Sequence, residues 1–121
     1  MGFIDFVDYV QALTPINVFP YAIPDDAAED AIVLNLEPRY TTNKGGLYES
    51  VLKVHTRSNH PEKAEQYAID LINHFTDRTS FNIGSYRVVL SSMNNKFPLY
   101  VNKDSLERHT YTFDVYLKMQ K

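Results

Sequence analysis

Four histidines, His55, His60, His74 and His109, are the residues whose type best suits metal binding or proton transfer near neutral pH. They are separated by five, fourteen and thirty-five residues, which matches no HExxH or related ligand pattern. No metal site is expected from them. Asp25-Asp26 is a carboxylate pair, but adjacent loop residues point apart, and a calcium loop would place its acids at alternating positions around a glycine. Ser85, in Gly84-Ser85-Tyr86, lacks the flanking glycines of a nucleophile elbow and is expected to be a turn serine. Lys44-Gly45-Gly46 lacks the GxxxxGK[ST] spacing of a phosphate loop. With no cysteine in the chain, disulfides, thiolate metal sites and thiol nucleophiles are excluded. The expectation is a protein that is not an enzyme and needs no cofactor.

Nucleic-acid binding is the remaining chemistry to weigh. Tyr111-Thr112-Phe113 on a strand has the look of a base-stacking platform. Phosphate binding, however, needs clustered Lys and Arg, and here the bases are scattered among acids in a chain of net charge −3. The charge is unevenly spread along the chain. Residues 1–38 hold seven acids and no base, whereas residues 39–121 hold all twelve bases against eight acids, a balance of −7 against +4. A secretory signal would want bases where Asp5 and Asp8 stand. Phe6 occupies the place of the Ser or Thr of a myristoylation motif. No apolar run nears the ~18 residues of a membrane span, so the default location is cytoplasmic.

The 121 residues suit one α+β domain, residues 1–121. Phe3, Phe6, Val7, Val10 and Leu13 follow helical spacing, and Thr14-Pro15 stops the run. Val18–Ile23, with Pro20 inside, is an extended edge or a connector. The acidic stretch 25–30 leads into a β-branched strand, Ala31–Leu36, ended by Glu37-Pro38. Arg39–Gly46 is expected to be a long hairpin loop, and Leu47–Thr56 the next strand, its alternation slipping at Ser50 and Val51. Asn59 and Glu62 resemble a capping box, and Pro61 opens a second helix with the stripe Ala64, Ala68, Leu71, Ile72 and Phe75. His74 falls on its polar side. After a polar turn, Tyr86–Ser91 is a third strand, Phe97–Val101 a candidate short one, and Arg108–Met119 a strongly alternating last strand. His55 and His109 lie in strands and meet only if strand pairing brings them together. The expected fold is a mainly antiparallel four-stranded sheet with two helices on one face, in the order α-β-β-α-β-β.

These features together resemble a known family. The phrases that carry the likeness are Pro24 with Asp25-Asp26, the strand Ala31 to Pro38 and the Gly45-Gly46 loop. To these are added His60-Pro61-Glu62-Lys63-Ala64 opening helix two and the late strand Tyr111 to Leu117. The chain resembles the minor capsid or tail-terminator (tail completion, head-to-tail joining) proteins of long-tailed bacteriophages and prophages, from about Phe3 to Met119. It departs from that pattern where Lys103-Asp104-Ser105 stands in place of a glycine before the final strand. The resemblance implies a structural virion protein without enzymatic activity. It would form a homo-oligomeric ring, typically a hexamer, that caps the tail tube at the head-tail junction after assembly in the host cytoplasm. It also implies a major tail protein and a head-completion or connector protein as partners, with DNA passing through the lumen without specific binding.

Ring subunits meet through two different patches. Arg39, Tyr40 and Lys44 combine bases with an aromatic, as interface hot spots do, and are candidates for one patch. Asp25, Asp26, Glu29 and Asp30 are candidates for the complementary patch or the lumen wall. Two other classes compete: an adaptor or regulatory module that binds a peptide or protein through its sheet, and a small enzyme using His55 or His109.

Overall fold

The computed structural model describes residues 3–24, 29–39, 48–93 and 95–120. The first helix, α1 (Phe3–Gln11), buries Phe6, Val7 and Val10. It closes in a tight turn in which the Leu13 N–H donates to the Val10 carbonyl, so Leu13 itself is left partly exposed. Helix α2 (Pro61–Phe75) buries Ala64, Ala68, Leu71, Ile72 and Phe75, the stripe expected from spacing alone. Its N-cap is His60 with no side-chain cap bond, so Asn59 and Glu62 do not form a capping box; Pro61 takes the first turn, where its missing N–H costs nothing.

The α+β class and the pair of helices agree with expectation; the four-stranded sheet does not. Among the described residues seven strands form one mixed sheet: β1 (Asn17–Pro20), β2 (Ala31–Arg39), β3 (Tyr48–Ser58), β4 (Arg78–Ile83), β5 (Tyr86–Met93), β6 (Leu99–Lys103) and β7 (His109–Gln120). The spatial order is β1-β2-β3-β7-β5-β4, with β6 also on β7, and the β1–β2 pair is parallel while the others are antiparallel. The three strands beyond the expected four are β1, β4 and β6. All lie at edges and bury little: β1 buries only Val18, β4 only Ile83, and β6 none. A strand without a buried face leaves no alternation to read.

Other boundaries move for local reasons. Strand β2 runs through Pro38 to Arg39 rather than stopping at Glu37. The Tyr21 N–H donates to the Leu34 carbonyl, so even-numbered residues of β2 turn their backbone groups away from β3. Pro38 therefore lacks an N–H where β1 has already ended, and no ladder bond is lost. Strand β3 pairs without a break on both sides, so there is no slip at Ser50 and Val51. Ser50 faces the helices and Val51 the opposite face, and both are buried.

The helix-side face of the sheet, from Ile32, Leu34, Leu52, Val54, Phe113, Val115, Leu117 and Met119, joins both helices in one core. Nine-residue α1 touches both β1 and β4, the two ends of the strand order. Such a helix spans about 13 Å, while six strands laid flat would hold their outer members about 24 Å apart. The sheet therefore curls around the helical layer. Gly84 makes the β4–β5 turn with φ +59, and the Asp5 side chain of α1 rests against it. Ser85 is the second residue of that two-residue turn.

Candidate functional site

The four histidines stay apart. His55 lies on the open sheet face opposite Thr112, whereas His109 stands opposite Ser58 on the other face, so pairing does not bring them together. His109 Nδ1 lies 2.9 Å from the Tyr100 hydroxyl. His60 precedes α2, 3.9 Å from Glu62. His74 is not on a bare polar side: its Nε2 is 2.7 Å from the Tyr9 hydroxyl, and its ring packs on Phe75, joining α2 to α1. Among the described residues no three His, Asp or Glu side chains gather as metal ligands.

Burial sets the protonation of two of these rings. Desolvation holds His74 below the ordinary value of 6.5, helped by the Arg78 charge. Desolvation also lowers His55, with Asp114 opposing it. Both groups bind protons more readily in the unfolded chain, so their contribution to stability is present above pH 6.5 and is lost as the pH falls below it. The urea midpoint should accordingly drop from pH 7.5 to about 5. His74→Gln, which keeps a partner for Tyr9, should shrink that drop; an unchanged pH slope would contradict the role given to His74.

Of the residues expected at an interface, Asp25, Asp26, Tyr40 and Lys44 lie outside the described residues. Arg39 ends β2, its backbone opposite Glu49. Glu29 is exposed, and its carbonyl accepts a bond of 3.2 Å from Arg57 Nε. Asp30 works within the chain. Its two carboxylate oxygens accept from the Ser58 and Tyr67 hydroxyls, each at 2.7 Å, tying the start of β2 to the end of β3 and to α2. That carboxylate bond pushes Tyr67 up to about 12, because losing the phenol proton would set two anions side by side. Tyr67→Phe removes the donor and leaves the carboxylate short of a partner, so it should cost about 1–2 kcal/mol, read from the urea midpoint; a neutral result would contradict the clamp.

The open face of the sheet is charged and interlocked. Lys53 meets Glu37 at 3.3 Å and Lys118 meets Glu49 at 3.9 Å, with Tyr116 and Val51 paired between them. The unsatisfied apolar surface lies elsewhere, on a hairpin that the sequence reading did not single out. Strand β5 leaves the edge of β7 at Val115, and β6 takes up the same edge from Thr112 onward. A cleft of about 100 Å³ opens at the change-over, lined by Phe97, Leu99, Phe113, Asp114 and Tyr116 among others. Every residue of β6 is exposed, and Phe97, Leu99 and Leu106 show 74, 61 and 62% of their surface. Tyr100 and Val101 are also exposed.

This hairpin is rigidly built for something so exposed. At its tip Asp104 Oδ1 accepts the N–H groups of Leu106 and Arg108, each at 2.9 Å, and Oδ2 accepts from Arg108 Nε at 2.7 Å. The backbone bond from Arg108 is the largest of the effects holding the Asp104 carboxyl below its ordinary range. Lys103 and Glu107 pair alongside at 3.0 Å. Its charges are neutralised internally while its apolar side chains point outward, the composition of a protein contact surface. The signal in the sequence was faint: Leu99 and Val101 alternate in a run of five residues, too short to separate from a loop.

The exposed edges differ in how they are guarded. The Val18 N–H of β1 donates to Gln11 Oε1 at 3.0 Å, and Pro20 ends that strand. In β4, Ser80 takes φ 55 and is passed over in the pairing, with one register kept on either side of it. Strand β6 is guarded only by its shortness, by Lys103 and by a bulge between Tyr100 and Asn102 that leaves Val101 outside the pairing with β7, while Leu99, Tyr100 and Val101 keep apolar side chains exposed along that edge.

No family model and no curated protein matches the chain. A solved structure of a protein that carries no functional name matches with a TM-score of 0.63 at 19% identity, over 97% of this chain and 89% of that one. At that identity the likeness is one of fold alone.

Proposed function

We propose that the chain is a structural protein of the tail-terminator kind, a minor capsid protein that assembles as a homo-oligomeric ring, caps the tail tube of a long-tailed phage and joins it to the head connector. The observation that carries this reading is that, among the described residues, one small domain has two unlike edges without a pairing strand. Strand β6 is one, and the outer half of β2, beyond the reach of β1, is the other. A head-to-tail ring requires two different surfaces on each copy. The likeness of local phrases between Phe3 and Met119 supports the same reading, and the charge balance agrees with it. Six copies would carry about −18, which suits a channel that DNA passes without sticking. The major tail protein and a head-completion protein are the partners, and the head-tail junction of the virion is the location.

Size-exclusion with light scattering tests this directly. A closed oligomer of fixed mass is expected, with genes for a major tail protein and a tape measure lying just downstream. Metabolic or regulatory neighbours would sink the assignment. The exposed β6 edge also favours a second reading, an adaptor that captures an extended peptide by adding it as a strand; a monomer that binds such peptides is the outcome that would select it.

A further inference from the structure

We propose that the free edge of β6 pairs with the outer half of β2 in a second copy of this chain, so that each copy gives one edge and receives one. The proposal rests on the ring reading above and names the surface that builds it. Leu34 turns its carbonyl toward β1, so Leu36 and Pro38 turn their backbone groups the same way, where β1 no longer reaches. Leu36 thus offers an N–H and a carbonyl, and Pro38 a carbonyl, to an incoming strand. Among the described residues nothing pairs with this side of β2 from Asn35 to Arg39, five residues facing the five of β6.

The surroundings of the two edges are complementary. Residues 1–38 hold seven acids and no Lys or Arg, so the receiving edge lies in an acidic stretch although Glu37 itself is paired with Lys53, whereas exposed Lys96 flanks the giving edge, where Lys103 is paired with Glu107. Tyr21, held at φ 67 where β1 ends, packs one side of its ring against Phe3 at 4.9 Å and remains 67% exposed, which leaves aromatic surface beside the receiving edge for the apolar side chains of β6. A bulky residue kept at positive φ is costly, and such strain collects at working surfaces. The alternative partner for β6, another β6, would leave the β2 edge and its acidic surroundings unused.

Two measurements decide it. Val101 lies on a strand with no buried residue, so Val101→Asp should leave the melting temperature unchanged while weakening assembly at least tenfold in a light-scattering concentration series; Leu99→Lys should do the same. The chain has no cysteine, which makes single-cysteine cross-linking clean. Mixed Val101→Cys and Glu37→Cys proteins, treated with a short bismaleimide, should join 101 to 37 in preference to 101 to 101 or 37 to 37. Cross-linked open filaments would support this contact and overturn the ring. A wild-type ring that Val101→Asp leaves intact, with no joining of 101 to 37, would overturn the contact and leave the ring standing. Links of 101 to 101 alone would replace it with a two-fold pairing. A monomer at every concentration without cross-links would overturn both.

Discussion

Phe75→Ala should cost about 3–5 kcal/mol, a large part of the roughly 5–15 kcal/mol that holds a domain of this kind together. Phe75 ends α2 and is fully buried. Its ring lies 6.0 Å from Tyr9 of α1, 6.5 Å from Phe81 of β4 and 5.1 Å from His74. Its carbonyl accepts from the buried Ser91 hydroxyl of β5 at 2.6 Å. Four elements meet at this one residue: α2 carries it, α1 and β4 pack on its ring, and β5 bonds its carbonyl. A cavity there cannot be filled by a local shift, because Tyr9 is held by His74 and Ser91 by the strand ladder. Phe75→Leu, which retains most of the volume, should cost less than half as much. Urea unfolding measures both; a loss below about 1 kcal/mol for the alanine variant would mean that the joint closes around the gap, against the rigid packing described above.

Gly84→Ala should cost about 2–3 kcal/mol, from two separable causes. A side chain at φ +59 is disfavoured by roughly 1–2 kcal/mol. A Cβ there would also overlap the Asp5 side chain, whose own Cβ would lie only 2.7 Å away. Gly84→Asn separates them. Asparagine tolerates positive φ but still carries the Cβ, so the variant should recover part of the loss and remain clearly destabilised in the same unfolding assay. Wild-type stability in Gly84→Asn would show that α1 has room to move off the β4–β5 turn. That would loosen the link between the two ends of the strand order.

These two positions also mark how far the fold was legible from residue order. Phe75 stood out, because it completes a helical stripe with Ala64, Ala68, Leu71 and Ile72, and periodicity reports burial directly. The same holds for Phe113, Val115, Leu117 and Met119, whose alternation placed β7 before its neighbours were known. What escaped were β4 and the pairing of β1, while β6 stood only as a candidate short strand, Phe97–Val101. Arg78 to Ile83 reads as a polar turn because only Ile83 is fully buried, and β6 stayed a mere candidate because none of its five residues is. An edge strand is defined by backbone pairing, which residue type scarcely encodes. That β6 leaves an edge without a pairing strand among the described residues escaped for the same reason, while Asp30, singled out by its charge, proved to be engaged by Ser58 and Tyr67. Charge in a sequence shows where an ion is, not whether the chain has already used it.

Negative-stain microscopy of the purified chain at high concentration tests the central claim most directly. Closed rings of one subunit number around a central opening are expected, and they should disappear in Val101→Asp. Monomer-sized particles at every concentration would contradict the claim that this domain builds a ring through its open edges.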